Sequence, residues 1–338
     1  MSIPILTFYC SRKNVGKTSL VFHLAWMFAS LNKRVLVVDM DPQASLTEFF
    51  LDDERLEQIW YQNKYGSGIY NVVKPLITDE KTNKPILEKI TTDLYLLPGD
   101  VALSTFERVL SNKWSDIEAN NNYKSLQIIS SFWNIMQKTA QEIKAEIILV
   151  DTGSNMGAIN RSVSIASDYM IIPIGSDIYS FQGLKTMGIE LQNWRNLWKK
   201  KMDMWKNSKE FSQNPNFVLP QGKIKTIGYL CQQYTLILTR PIKVYDKWLK
   251  KIPTIYCNYF LNKQVEKDTL LPQNDENCIA ILKHFRNIIS IAHEHKKPIF
   301  NLTSADGAVG CHASAVAVAR KDFQDLAKLI AEKMGLKI

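Results

Sequence analysis

The sequence has few cysteines and no long hydrophobic run. Its 338 residues include 5 cysteines, at Cys10, Cys231, Cys257, Cys278 and Cys311. None of them has the C-x-x-C spacing of metal or redox motifs, so buried reduced thiols are expected. No stretch approaches the roughly 18 uninterrupted apolar residues of a membrane span, and no secretory signal peptide is recognisable. These absences predict a cytoplasmic protein with no membrane span.

The chain also lacks the first glycine of a general phosphate-binding loop. Ser11 stands at that position, five residues before Gly16, so the GxxxxGK[ST] pattern is not matched. The end of the motif is intact, because Gly16 allows a close backbone approach, Lys17 offers a cation and the Thr18 hydroxyl can bind Mg²⁺. The apolar residues 5–9 precede this loop and apolar residues at helical spacing follow it. A phosphate would therefore lie at a helix N-terminus.

Two further segments place acidic residues at the ends of apolar strands. Residues 35–43 form a buried strand that ends in Asp39 and Asp41, and residues 146–153 form a second that ends in Asp151. Ligands bind at the carboxyl ends of parallel strands, so three such ends would converge on one Mg²⁺-nucleotide. The alternative for Asp39 and Asp41 is an ordinary strand-to-loop turn.

These motifs together resemble the ParA/MinD family of deviant-Walker ATPases, whose loop reads KGGxGK[ST] and whose second strand reads DxDPQ. Arg12 stands at the family's signature-lysine position, and Lys13 and Asn14 replace its two glycines. The similarity is greatest to partition ATPases that lack an N-terminal helix-turn-helix, because the first strand begins near residue 5. It also covers residues 39–44, 97–100, 169–174, 181–184 and 297–300.

The resemblance implies an α/β fold, with a mostly parallel twisted sheet flanked by helices. Residues 1–338 would form one P-loop ATPase domain with helical insertions at about 51–122, 194–225 and 253–280. It implies Mg²⁺ and ATP as cofactors, and no NKxD run is present to specify guanine. It also implies an ATP-dependent sandwich homodimer.

The resemblance assigns roles by position. Asp41 would orient the attacking water, while Lys17 and Arg12 would stabilise the phosphoryl group, Arg12 from across the dimer. Thr18, Asp39 and Asp151 would form or support the Mg²⁺ site. The nucleotide would be contacted by Arg12, Lys13, Asn14, Val15, Gly16, Lys17, Thr18 and Ser19.

Arg12, Lys13 and Asn14 differ from the family loop, and these differences could change the rate of ATP hydrolysis. Arg12 can bind a phosphate with two parallel hydrogen bonds, which a lysine cannot. A left-handed backbone at Lys13 would be strained by its β-carbon, whereas Asn14 tolerates that conformation better. Slow or absent hydrolysis with retained ATP binding therefore stays open.

The basic excess of the chain lies in one segment. The net charge is +9, and residues 194–251 hold 13 Lys and Arg against 3 acids. Such a patch suits nonspecific DNA binding, which the resemblance also implies. The alternatives are a solvated helix face with Trp194, Trp198 and Trp205 packed inward, or contact with a membrane surface. The candidate DNA-binding residues are Arg195, Lys199, Lys200, Lys201, Lys206, Arg240, Lys243, Lys247 and Lys250.

Several local expectations concern the outer segments. Residues 123–144 read as one helix, 207–221 as a mobile loop and 253–276 as an irregular insertion. The last helix, about 312–334, is expected to dock on the core, unlike the membrane-targeting helix of MinD-like relatives.

Two functions agree with the sequence. The first is a ParA-like ATPase that dimerises with ATP, binds nonspecific DNA at the nucleoid and is reset by a ParB-like or adaptor partner, in DNA or cargo partitioning. The second is a nucleotide-gated interaction subunit with little or no hydrolysis, in a mobile-element or defence assembly.

Overall fold

A parallel sheet forms the centre of the fold. The computed structural model describes residues 2–62, 68–78, 83–119, 122–175, 177–213, 217–232, 248–265, 271–282 and 286–338. The strands are β1 (Ile5–Phe8), β2 (Val35–Met40), β3 (Glu88–Lys89), β4 (Leu94–Leu97), β5 (Ile147–Thr152), β6 (Tyr169–Ile174), β7 (Lys225–Gln232) and β8 (Cys278–Leu282). Their order is β3-β4-β2-β5-β1-β6-β7-β8. All neighbours are parallel except β3 and β4, which are antiparallel.

Helices cover both faces of this sheet. They are α1 (Lys17–Ser30), α2 (Ser45–Phe50), α3 (Asp53–Glu57), α4 (Ile69–Val73), α5 (Pro75–Thr78), α6 (Leu103–Ala119), α7 (Tyr123–Ile129), α8 (Ser131–Glu142), α9 (Ala158–Ala166), α10 (Ile178–Lys206), α11 (Lys209–Gln213), α12 (Ile252–Phe260), α13 (Arg286–Glu294) and α14 (Cys311–Met334). Helices α6 to α10 and α12 pack on one face, and α1, α2, α13 and α14 on the other. The central strands β1, β2 and β5 are buried at every position, because helices cover them on both sides. The expected α/β fold with a mostly parallel sheet is confirmed.

Two expectations about helices were wrong. The single helix expected over residues 123–144 is divided into α7 and α8 at Ser130, where ψ is −1°. Residues 253–276 are not irregular throughout, because they contain most of α12 and a 3₁₀ turn at Pro272–Asn274. Pro253 lies in the first turn of α12, where a missing N–H breaks no helical hydrogen bond.

The expected mobile loop at 207–221 is partly packed. It contains the short helix α11, and residues 214–216 are outside the described part. Leu219 is buried, and the indole N–H of Trp198 donates to the Pro220 carbonyl at 2.9 Å. The end of this segment is therefore fixed to α10.

The last helix docks on the core, as expected. Helix α14 buries one face that includes Phe323, Leu326, Ile330 and Met334. In the described part of the chain, no helix combines the length and apolar character needed to span a membrane. Of the cysteines expected to be buried, Cys10 and Cys231 are buried, but Cys257 and Cys278 are only half-buried. Cys311 is exposed, because it begins α14 where that helix extends past the core.

Candidate nucleotide site

The loop between β1 and α1 adopts left-handed backbone at two residues. Asn14 has a φ of 61° and Gly16 a φ of 75°. Lys13 has no positive φ, so the strain expected there does not arise. Asparagine and glycine are the residues that accept this conformation most readily. The steric argument against a working loop is therefore removed.

Ser11, at the missing-glycine position, packs against a glycine on another element. A β-carbon added to Gly183, in the second turn of α10, would overlap the Ser11 Oγ. The space that Ser11 occupies therefore depends on Gly183. The sequence predicted residues 181–184 as family-like but did not indicate this contact.

Lys17 and Thr18 converge on the carboxylate at the end of β5. The Lys17 Nζ forms a buried ion pair with Asp151 Oδ1, and both side chains are almost fully buried. The Thr18 hydroxyl donates to Asp151 Oδ2 at 2.8 Å. Burial alone would lower the pKa of Lys17, but the charge of Asp151 raises it above its ordinary value. Lys17 is therefore held as a cation at the start of α1.

Asp39 organises the loop that follows β2. It lies opposite Asp151 on the neighbouring strand and is fully buried. It accepts hydrogen bonds from the Asp41 N–H at 3.1 Å, the Thr47 N–H at 2.9 Å and the Thr47 hydroxyl at 2.8 Å. Thr47 in turn accepts from the Gly99 N–H at 2.7 Å. Burial, followed by the charge of Asp151, raises the pKa of Asp39.

Sequence reasoning missed Thr47 and Gly99. A β-carbon on Gly99 would lie 2.8 Å from Asp39 Cγ, so only glycine allows this approach. The match at residues 97–100 was the available signal for Gly99. Thr47 lies in α2 and carried no recognisable signal.

The predicted nucleotide residues line one cavity. Residues 12–19 border a cavity of about 450 Å³, together with Asp41 and Ser154. Asp41 is half-buried, and its Oδ1 accepts from the Gln43 N–H at 3.0 Å. Apolar side chains that include Leu282, Ile289 and Phe323 line the same cavity. The cavity thus joins a cationic end to an apolar wall.

The residues at the cationic end fit Mg²⁺ in part. Thr18 and Asp151 present hydroxyl and carboxylate oxygens, which Mg²⁺ prefers, and Mg²⁺ sites of this kind take further ligands from substrate phosphates. Among the described residues, no group of three His, Cys, Asp or Glu side chains could hold a metal alone. Both carboxylate oxygens of Asp39 accept hydrogen bonds from the segment after β2. Asp39 therefore affects the site indirectly, by fixing the backbone of Asp41.

Arg12, at the signature position, extends along the surface. Its side chain is 48% exposed, and its Nε lies 3.8 Å from Asp177 Oδ1. The guanidinium carbon lies 4.9 Å from the centroid of the Tyr179 ring. Asp177 and Tyr179 therefore hold the Arg12 side chain within its own protomer.

The candidate DNA-binding residues that the structure describes do not form one patch. Helix α10 leaves the carboxyl end of β6 and runs back toward the start of β7, so its last turns lie far from the cavity. Lys199, Lys200 and Lys206 are exposed on those last turns, and Arg195 is half-buried. Lys250 is exposed on a different part of the protein, in the segment that packs on the first turns of α10 through Trp248 and Phe181.

The prediction that Lys201 is a surface residue is wrong, and three other candidates lie outside the described residues. Lys201 is buried, with its Nζ 3.5 Å from the Glu118 carbonyl oxygen, because it falls on the core-facing side of α10. The residues outside are Arg240, Lys243 and Lys247. Trp194, Trp198 and Trp205 are buried, so they pack inward as the alternative interpretation expected.

Comparison with known proteins identifies the family. A strand, a phosphate-type loop and a helix opposite two strand-end carboxylates define a P-loop nucleotide-binding protein. The model of the AAA domain family matches residues 4–204, and the chain belongs to that family, among its ParA-like P-loop ATPases.

The relatives are distant. An uncharacterized protein of Methanocaldococcus jannaschii is 25% identical over 244 residues, which cover 72% of this chain and 77% of that protein. Protein IncC of Escherichia coli is 25% identical over 181 residues, which cover 54% of this chain but 43% of IncC. The chain thus spans less than half the length of IncC.

Solved structures share the fold over nearly the whole chain. A putative plasmid partition protein of Borrelia burgdorferi, bound to AMPPNP, superposes with a TM-score of 0.57 at 15% identity, covering 98% of this chain and 99% of that one. The pNOB8 ParA protein bound to nonspecific DNA gives a TM-score of 0.58 at 17% identity, with the same coverage of both chains.

Proposed function

We propose that this protein is a ParA-like ATPase that binds Mg²⁺-ATP, forms an ATP-dependent sandwich dimer and binds DNA nonspecifically, in DNA or cargo partitioning. The proposal extends the family assignment to a specific activity. A ParB-like or adaptor protein would reset the dimer.

The observation that carries the proposal is the convergence of Lys17 and Thr18 on Asp151, beside Asp41. Lys17 is a buried cation at the helix start and would contact the β- and γ-phosphates. Thr18 and Asp151 would hold Mg²⁺, which supplies neutralisation of the phosphate charge. Asp41 lies at the edge of the same cavity on a loop fixed by Asp39, and it would orient the attacking water.

Surface features support the dimer and the DNA contact. Arg12 is half-exposed at the rim of the cavity, from which a guanidinium could reach a second copy's phosphate. Lys199, Lys200 and Lys206 are exposed on the last turns of α10 and would contact phosphates without reading sequence. The structural relatives solved with AMPPNP and with nonspecific DNA support nucleotide binding and the DNA contact, respectively.

The alternative is a nucleotide-gated subunit that hardly hydrolyses ATP. That alternative depended on backbone strain at Lys13. The strain does not arise, because the left-handed residues of the loop are Asn14 and Gly16. We therefore favour the hydrolysing ATPase, with a slow rate that DNA or a partner stimulates.

The test measures mass and phosphate release on the same samples of the full chain, with and without ATP, Mg²⁺ and DNA. Asp41→Ala should keep ATP-dependent dimers and lose phosphate release, because the water loses its orienting carboxylate. Lys17→Ala should lose ATP binding. Asp325→Ala, an exposed acid on α14, is the matched control and should behave as the native protein.

The outcomes separate the two candidates. Dimers that form with ATP but release no phosphate, even with DNA, would favour the gated subunit. Absence of any ATP-dependent change in mass would contradict both.

A further inference from the structure

The first turns of α10 form a seat for the start of the loop. Tyr179 and Gly183 are four residues apart, so they lie on the same face of the helix. Ser11 packs against Gly183, and the next residue, Arg12, lies over the Tyr179 ring. The Ser11 contact thus fixes the point from which the Arg12 side chain extends.

Asp177 supplies the charge in this seat. Its Oδ1 accepts from the N–H groups of Tyr179 at 2.9 Å and Ser180 at 3.0 Å, and its Oδ2 accepts from the Ser180 hydroxyl at 3.0 Å. The carboxylate is therefore positioned as the N-cap of α10 without any help from Arg12. The Asp177 Oδ1 thus lies 3.8 Å from the Arg12 Nε while its own position is fixed by the helix.

The contact of Arg12 with Tyr179 and Asp177 is weak enough to be broken by a competing phosphate. The side chain of Arg12 is 48% exposed and that of Asp177 is 35% exposed, while Tyr179 is 67% exposed. Cation–π contacts and ion pairs at such exposure are weak, because water solvates both partners. A phosphate, with more charge and several acceptor oxygens, would compete successfully for the same guanidinium.

We propose that Tyr179 and Asp177 form a resting position that holds Arg12 within its own protomer and sets the threshold for nucleotide-dependent dimerisation. Both act as positioning residues, because their effect on the dimer passes through Arg12. This inference rests on the proposed function, in which Arg12 contacts the nucleotide of a second copy.

The size of the effect follows from the strength of the contact. Release from an exposed aromatic ring, or from an exposed carboxylate, should tighten the dimer about two- to fivefold for each. ATP binding to the monomer should not change, since neither group lies among the residues that border the cavity.

The experiment is a double-mutant cycle on the dimer dissociation constant. Sedimentation equilibrium of the full chain with Mg²⁺ and a non-hydrolysable ATP analogue is compared for Tyr179→Ala and Asp177→Asn, each alone and in an Arg12→Ala background. Asparagine keeps the helix cap while removing the charge. Tyr179→Phe keeps the ring and is the matched control, expected to dimerise like the native protein.

The expected result is a tighter dimer for Tyr179→Ala and Asp177→Asn, and loss of that gain when Arg12 is replaced. In the Arg12→Ala background, any remaining effect of Tyr179→Ala measures a direct contact of Tyr179 with the second copy. Equal effects with and without Arg12 would overturn the resting position while leaving the proposed function intact. If Arg12→Ala itself leaves the analogue-dependent dimer unchanged, the proposed role of Arg12 fails instead.

Discussion

The Nε2 of His23 accepts a hydrogen bond from the backbone N–H of Ile299 at 3.1 Å. Its Nδ1 donates to the Ser19 carbonyl at 2.6 Å, so a neutral ring fits both partners. His23 thereby ties α1, the helix behind the phosphate loop, to the segment before α14. Burial lowers the pKa of His23 to about 4.

This tie predicts a loss of stability in mild acid. The pKa of His23 is lower in the folded protein than its ordinary 6.5, so the unfolded chain binds more protons between the two values. The contribution is fully present above pH 6.5 and declines toward pH 4, by about 3 kcal/mol in the free energy of unfolding. Urea denaturation across this range should show a smaller decline for His23→Asn. The same change at His312 is the control and should leave the decline intact.

The contact between Ser11 and Gly183 predicts an unusual effect of alanine. Alanine normally stabilises a helix relative to glycine by about 1 kcal/mol. Gly183→Ala should instead destabilise the protein by about 1–3 kcal/mol and weaken ATP binding, because its β-carbon would displace the Ser11 Oγ. Titration with a fluorescent ATP analogue and urea denaturation measure both effects. Adding Ser11→Gly should restore both, and failure to do so would show that the loop does not depend on this contact.

The buried pair of Lys17 and Asp151 predicts a separation of stability from binding. Asp151→Asn leaves the Lys17 cation buried without its counter-ion and should cost about 3–5 kcal/mol. Adding Lys17→Met should recover much of that stability in urea denaturation. Neither variant should bind Mg²⁺-ATP in a calorimetric titration. A stable Asp151→Asn single variant would contradict the buried ion pair.

The lysines at the end of α10 predict a change in salt dependence. Lys199→Gln with Lys200→Gln should reduce the slope of log affinity for DNA against log salt by about 2, because two phosphate contacts are lost. Lys321→Gln with Lys328→Gln removes the same charge from exposed sites on α14, across the sheet, and is the control. Equal reductions in both pairs would indicate a general effect of net charge.

Much of the site could be predicted from the sequence because its residues are local to strand ends. Lys17 and Thr18 follow β1, and Asp39, Asp41 and Asp151 follow or end buried strands. In a parallel sheet those ends meet at one edge, so the convergence follows from topology.

The contacts that support the site could not be predicted in the same way. Gly183 lies 172 positions from Ser11 along the chain, and Ile299 lies 276 from His23. Their partners are set by how helices pack, which no local pattern encodes. The basic residues were predicted to form one patch because they are close along the chain. In the structure, Lys201 points into the core from α10. Lys250 lies near the first turns of α10, whereas Lys199 lies near its last turns.

The length of α10 has a mechanical consequence. Its 29 residues span about 43 Å, with the seat for Ser11 and Arg12 in its first turns and the exposed lysines in its last. A stiff rod of that length works as a lever arm, so a tilt of about 5° at the loop would move Lys206, at its far end, by about 4 Å. A displacement of that size exceeds the length of a hydrogen bond, and it would change which phosphate the Lys206 side chain can reach.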